Sequence, residues 1–438
     1  MPSELSALLP THGNSLYSSV NTAAKTTLKS SKVNWLLLFV PIAYLAEYLQ
    51  WGPVAVFTTN FFAIIPLASL LAYATEELGD SLHNDSVAGL LNATFGNAVE
   101  VIVSVIALRE NQITVVQASM LGSILSNLLL VLGSCFVVGG LRYNEQFFNQ
   151  TAAQTMGSLL AVSVMALLLP AAFYLSLPKK TPHLEDKILD FSRGTSIILL
   201  MIYVFYMIFQ LKTHTYLFTD DPQKSAGPSL ALPDDLEDSA TQNYEGNSTD
   251  AEAGVAVRRP SGSFITRPKS IYDVSISPES HLSTTSAIVV LFVATILVSL
   301  SADYLVGTID AIVETSGLSK TFIGLILIPI VGNAAEHVTA IYVAHKNKMD
   351  LAIGVAIGSS LQIAIFVTPL LVLIGWMMDV PMSLHFSMYE TAVIFVSVFI
   401  TNSLILDGSS NWLEGVLLIA TYFIIAISFF LFPDTQVL

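Results

Sequence analysis

Eleven apolar stretches, each near the ~20 residues a helix needs to cross a bilayer, make up most of the chain. They are 33–51, 53–75, 85–108, 116–140, 152–177, 194–217, 285–310, 321–344, 351–375, 382–405 and 412–432. Aromatic residues and prolines crowd many of their ends (Trp51-Gly52-Pro53, Trp376, Trp412, Phe432-Pro433), where interfacial anchors sit. A polar tail, 1–32, precedes them, and a polar stretch, 218–284, divides them into six and five.

Two short motifs repeat inside this pattern. Gly96-Asn97-Ala98-Val99-Glu100 returns 236 positions later as Gly332-Asn333-Ala334-Ala335-Glu336. The same offset superposes Gly122-Ser123 on Gly358-Ser359 and Leu125 on Leu361 without a gap. It pairs the second apolar stretch with the seventh, the third with the eighth, and so on. The expected fold is therefore an all-α polytopic membrane protein of eleven transmembrane helices. A lead helix, 33–51, precedes a five-helix repeat, 53–217, a linker, 218–284, and a second five-helix repeat, 285–433. An odd number of helices per half sends the second half into the membrane from the opposite side, an inverted-topology repeat.

Composition agrees with this pattern. Of 438 residues, 53% are hydrophobic and 12% charged, against about 25% charged in soluble domains. The net charge is −15. With no basic tract, that charge argues against nucleic acid as a partner. The single Cys135 lies in an apolar stretch, which excludes disulfides and thiolate clusters. No short apolar region with a small-residue cleavage site follows the tail, so no cleaved signal peptide is expected.

The tail and linker carry their own signals. Glu4-x-x-x-Leu8-Leu9 resembles the acidic dileucine signals that sorting machinery reads on the way to vacuoles or lysosomes. The balance of Lys and Arg, including Lys25, Lys29, Lys32, Arg142, Lys346 and Lys348, places the N-terminus in the cytosol. The loop with Lys179, Lys180, Lys187 and Arg193 opposes that orientation. The linker reads as a flexible, solvated tether. Its acids Asp234, Asp235, Glu237, Asp238, Glu245, Asp250 and Glu252 leave open a second role in attracting divalent cations.

Candidate chemistry centres on Glu100 and Glu336. An intramembrane acid is ordinarily an ion-pair partner, yet no apolar stretch holds a Lys or Arg in its interior. A carboxylate there must be protonated, bind a metal or face water. Asn97 and Asn333 precede the acids by three residues and share their helix face. Gly96 and Gly332 thin the helix, and Pro329, with Ala93 as its counterpart, predicts a sharper kink in the second copy. Ser123, Ser359 and Gln362 follow on the next helices, the two serines open also to a packing role. This all-oxygen set suits Ca²⁺, with Mn²⁺ tolerable, rather than Zn²⁺ or Cu. One Ca²⁺ or two protons neutralise two carboxylates, so a site that crosses only when neutral exchanges one for the other. His337, beside Glu336, is either a packed imidazole or a proton group. Glu76 and Glu77 are either a gate at a cytosolic mouth or a solvated helix end. Asp303 and Glu390 are candidates for proton relay or for capping polar pockets.

These residues resemble the calcium/proton exchanger (cation/H⁺ exchanger) family of fungi and plants, fungal vacuolar type, within the calcium/cation antiporter superfamily. The resemblance rests on the two repeats and on Phe191-Ser192-Arg193-Gly194-Thr195, Gln210-Leu211-Lys212-Thr213-His214 and Thr321-Phe322-Ile323-Gly324-Leu325-Ile326. It extends to Val355-Ala356-Ile357-Gly358-Ser359-Ser360-Leu361-Gln362 and Asn411-Trp412-Leu413-Glu414-Gly415. It implies an inverted five-plus-five fold with an extra lead helix, no enzymatic activity, no cofactor, and sequestration of Ca²⁺ into an acidic vacuole. It also implies that Glu100 and Glu336 are the shared cation and proton carboxylates, helped by Asn97, Asn333, Ser123, Ser359 and Gln362. Glu77 and the acidic linker would then act at the cytosolic mouth. The rival readings are a Na⁺-coupled Ca²⁺ exchanger of the same fold and a Ca²⁺-permeable channel. No His-Glu-x-x-His occurs, which removes the intramembrane metalloprotease.

Overall fold

The computed structural model describes residues 25–28, 30–82, 85–178, 182–218 and 282–432. The dileucine residues Glu4, Leu8 and Leu9 and the linker acids lie outside them. A 3₁₀ turn, Lys32–Leu38, leads into α1 (Phe39–Tyr48). The first half continues with α2 (Pro53–Ser81), α3 (Asp85–Phe95), α4 (Ala98–Arg109), α5 (Ile113–Gly140), α6 (Gln150–Ser176) and α7 (Leu184–Thr213). The second holds α8 (Thr284–Ser316), α9 (Lys320–Gly332), α10 (Ala334–His345), α11 (Met349–Met377), α12 (Met388–Leu404) and α13 (Trp412–Leu431).

Each of the eleven apolar stretches carries helix among the described residues. Among the described residues seven helices are long and apolar enough to span a membrane, or nine when each bent pair counts as one span. The first and tenth stretches are shorter helices, ten and 17 residues. The bends fall where the motifs do. The axis turns by 41° between α3 and α4, at Gly96-Asn97, and by 57° between α9 and α10, at Asn333. The second kink is the sharper one, as Pro329 predicts.

Inversion shows in which ends meet. On one face Glu77, near the C-terminus of α2, accepts a hydrogen bond from the Leu282 amide just before α8 begins, at 2.7 Å. Corresponding helices of the two halves thus run in opposite senses. Gln146 joins the same face by donating to the Ala344 carbonyl and to Asn347 Oδ1, both at 2.9 Å. A two-residue pairing of β1 (Gln146–Phe147) with β2 (Ser409–Ser410) closes it. We call this the linker face, because both described ends of the linker meet it. On the far face Gln117 donates to the Ser383 carbonyl at 2.9 Å, and Arg193 lies 4.7 Å over the Trp376 ring. The turns after the two bent pairs match by the offset yet lie on opposite faces. Each uses an asparagine at positive φ, Asn111 at 55° and Asn347 at 61°, where the short amide tolerates the left-handed region.

Packing puts α5 and α11 at the centre, both 78% buried, whereas α8 and α13 are 28% buried and turn residues such as Phe292 and Ile424 outward, as lipid-facing helices do. Two π-turns interrupt these central helices at offset-related positions, Ser126–Val131 and Ile363–Val367. A third, Ile323–Leu327, precedes Pro329, which has no N–H to give the Leu325 carbonyl. That carbonyl lies against α5: a Cβ on Gly122 would sit 2.0 Å from the Leu325 oxygen. Across the same contact, a Cβ on Gly324 would meet Ala118 Cβ and the Val115 oxygen at 2.8 Å. Overpacking usually costs about 1–3 kcal/mol, and a backbone atom has less room to yield than a side chain. Gly122→Ala is therefore expected to lower the melting temperature of the detergent-solubilised protein sharply, whereas Gly358→Ala, with nothing within 4 Å of its Cβ, is expected to leave it unchanged.

Candidate cation site

Both bends place a carboxylate in the first turn of a new helix. Glu100 opens α4 and Glu336 opens α10, where free backbone N–H groups and the helix dipole favour negative charge. The kinks thus supply both a turn in the chain and a hospitable end for an acid. Glu100 is buried, 6% exposed, whereas Glu336 is half-buried. The carboxylates are near enough to feel each other's charge. Among the described residues no Lys or Arg pairs with either.

The polar neighbours interlock the halves. Asn97 Nδ2 donates to Gln362 Oε1 at 2.6 Å, and Asn333 Nδ2 donates to the Ser123 carbonyl at 3.4 Å. Each bent helix therefore reaches the central helix of the other half. Ser359 Oγ donates to Glu336 Oε2 at 2.8 Å and lies 3.5 Å from Asn97 Oδ1. Glu100 crosses as well: a Cβ on Gly332 would stand 2.8 Å from Glu100 Oε1. The predicted set Glu100, Glu336, Asn97, Asn333, Ser123, Ser359 and Gln362 is thus gathered around one junction between the halves. Three of its oxygens are buried without a protein partner, namely Glu100 Oε2, Ser123 Oγ and Asn333 Oδ1.

Other expectations fall elsewhere. His337 Nε2 lies 3.3 Å from Ser126 Oγ, a packed imidazole on a π-turn hydroxyl. Glu76 and Glu77 stay at the linker-face end of α2, away from the junction. Glu390 closes a capping box with Ser387 at the start of α12, so helix capping accounts for it. Asp303 pairs with Arg109 rather than standing alone in a span. No three His, Cys, Asp or Glu converge among the described residues, which fits a set dominated by neutral oxygens.

One buried amide escaped sequence reasoning. Asn127 is the second residue of the first π-turn, is fully buried and turns its amide toward Glu336. Its offset partner is Ile363, so the repeat gave no hint of it. The only available signal was an amide in an apolar run.

The fold is that of a polytopic membrane protein of two inverted halves, with an acid from each half near their junction. A family model described as sodium/calcium exchanger protein matches residues 52–212 and 286–431. The chain belongs to that family. It is 45% identical over 410 residues to the vacuolar calcium ion transporter of Schizosaccharomyces pombe, covering 94% of this chain and 87% of that one. It is 41% identical to the Ca²⁺/H⁺ antiporter of Aphanothece halophytica, over 91% of this chain and 96% of that one. Among solved structures, native YfkE superposes with a TM-score of 0.69 at 34% identity, over 91% of this chain and 98% of that one.

The Gly332 contact gives a direct test of the junction. Gly332→Ala places a methyl carbon 2.8 Å from Glu100 Oε1 and forces that carboxylate to shift, so transport in vesicles is expected to fall at least about tenfold while surface and fold are kept. Normal transport in that variant would show that Glu100 does not need this position.

Proposed function

We propose that the chain is a secondary active antiporter that moves cytosolic Ca²⁺ into a vacuole in exchange for lumenal H⁺. The observation that carries this reading is the junction itself: two first-turn carboxylates from opposite halves, without a fixed cation, where Glu100 Oε2, Ser123 Oγ and Asn333 Oδ1 are buried and unpartnered. Leaving a buried polar atom unpaired costs about 1–3 kcal/mol, a cost that a bound cation removes. Ca²⁺ takes six to eight oxygens in flexible geometry. Glu100, Glu336, Asn97, Asn333, Ser123, Ser359 and Gln362 can supply them, and Asn127 adds one more. Mn²⁺ fits the same donors.

Antiport follows from the charge. Two ionised carboxylates in a low-dielectric site are costly to carry between faces, and either one divalent ion or two protons cancels that charge. Metal and protons then take turns, and the halves 53–217 and 285–433 rock around the junction to expose it alternately. The names of the relatives at 45% and 41% identity support Ca²⁺ and H⁺ as the exchanged pair. We assign the linker face to the cytosol. Glu76 and Glu77 then stand at the cytosolic mouth, and Glu4, Leu8 and Leu9 address the protein to the vacuolar membrane.

Reconstituted vesicles test this. Ca²⁺ uptake is expected to need an opposed pH gradient, to ignore Na⁺ gradients, and to fall to background in Glu100→Gln and in Glu336→Gln alike. Uptake that persists with a protonophore, or that survives either substitution, would contradict the proposal.

A further inference from the structure

The far face of the junction is closed differently from the linker face. Apart from the terminal Arg109, no residue of α4 or α9 is exposed, whereas α3 and α10 carry exposed Val87, Leu90, Val338 and Tyr342. A narrow cavity beside Glu100 is lined by Val103, Ser119, Ser123, Leu305, Ile328 and Gly332. Val103 and Leu305 lie along α4 and α8 on the way to the far face.

Charged side chains join α4, α8 and α9 near the far face. Arg109, in the last turn of α4, pairs with Asp303 on α8 and holds Glu110 Oε1 at 3.0 Å. Lys320, at the start of α9, reaches Asp310 Oδ1 at 2.6 Å and Gln112 Oε1 at 2.9 Å. Gln112 Nε2 donates to Asp310 Oδ2 at 2.8 Å, which closes the triangle. The helix of Glu100 and the helix leading to Glu336 are thereby both tied to α8. The offset does not carry these pairs to the linker face. The offset partners of Asp303 and Asp310 are Leu67 and Ala74, and that of Arg109 is His345, which meets Arg142 at 2.9 Å instead of an acid.

We propose that Arg109–Asp303 and the Lys320–Asp310–Gln112 triangle form a two-part latch that holds the far face closed over the Glu100 cavity. The latch sets how often the ion site opens to the side opposite the linker. It rests on the reading of Glu100 as part of that site. Its side chains are open to water, 58% and 42% exposed for Arg109 and Asp303, 33% and 61% for Lys320 and Asp310. Ion pairs in that setting are weak and salt-sensitive, so the latch is reversible on the timescale of transport rather than a permanent brace. Releasing one of its pairs does not free α8, because the other still ties it to the partner half.

Cysteine accessibility tests the latch without requiring transport. In a Cys135→Ala background with Val103→Cys as reporter, a membrane-impermeant methanethiosulfonate is added from the far face of reconstituted vesicles. Combining Asp303→Asn with Asp310→Asn is expected to speed labelling roughly three- to tenfold, the size set by two exposed ion pairs. Raising the salt concentration should produce the same direction of change in the reporter protein without those substitutions. Exchanging the charges, Arg109→Asp with Asp303→Arg, in an Asp310→Asn background should restore slow labelling relative to the combined Asp303→Asn and Asp310→Asn protein. Unchanged labelling after neutralisation and after salt addition would overturn the proposal, as would a charge exchange in the Asp310→Asn background that labels as fast as the doubly neutralised protein. Because the readout is opening, a failure here is distinct from a failure of the ion-site reading, which would appear as normal exchange in Glu100→Gln.

Discussion

Two carboxylates without a fixed counter-charge, at the meeting of two inverted halves, are the constraint on which this structure depends. Burying such a group in a low-dielectric interior is tolerable only when a proton, a metal ion or aligned dipoles oppose its charge. The chain arranges the dipoles permanently by breaking two helices so that each acid begins a new one. The proton and the metal ion are left to come and go. Structure and transport therefore have one origin, since a Lys or Arg beside either acid would stabilise the fold and abolish the need for a mobile cation.

The rest of the architecture serves that junction. Gly332 gives Glu100 room to lie against the opposite half, and Gly122 lets the Leu325 carbonyl approach α5. Neither glycine is needed for an unusual φ; both are needed because a side chain would fill the contact. The amides of Asn97 and Asn333 cross between halves, so a movement of one half is felt by the polar side chains of the other. The junction is not symmetric. Glu100 is buried and faces a closed, latched side, while Glu336 is half-buried beside exposed α10. Duplication built the pair, and later divergence at Gln362, Asn127 and Pro329 made its two members unequal.

Much of this was legible in the sequence because hydrophobic length, the 236-position offset and an unpaired acid are local signals. The helices fell where the apolar runs lie, and Pro329 foretold the sharper of the two bends. What could not be read is what depends on which helix meets which. The cross-half bonds of Asn97 and Asn333 join residues more than 200 positions apart. The paired π-turns lie within central helices, with no proline or glycine inside either turn to mark them in the sequence. Asp303 and Glu390 looked like free acids in spans, because a capping box and an inter-helix ion pair become visible only when the ends of helices are placed. Asn127 carries no such signal, because its counterpart in the repeat is the apolar Ile363.

The central claim is that one junction holds either the metal ion or protons, and not both. The most direct measurement is the number of protons released when Ca²⁺ binds the purified protein in weakly buffered solution, at a pH where the metal-free junction is protonated. Binding and proton release are linked when the same oxygens serve both. The account predicts release approaching two protons per Ca²⁺, reduced by Glu100→Gln or Glu336→Gln along with the binding itself. Ca²⁺ binding that releases no protons would contradict it.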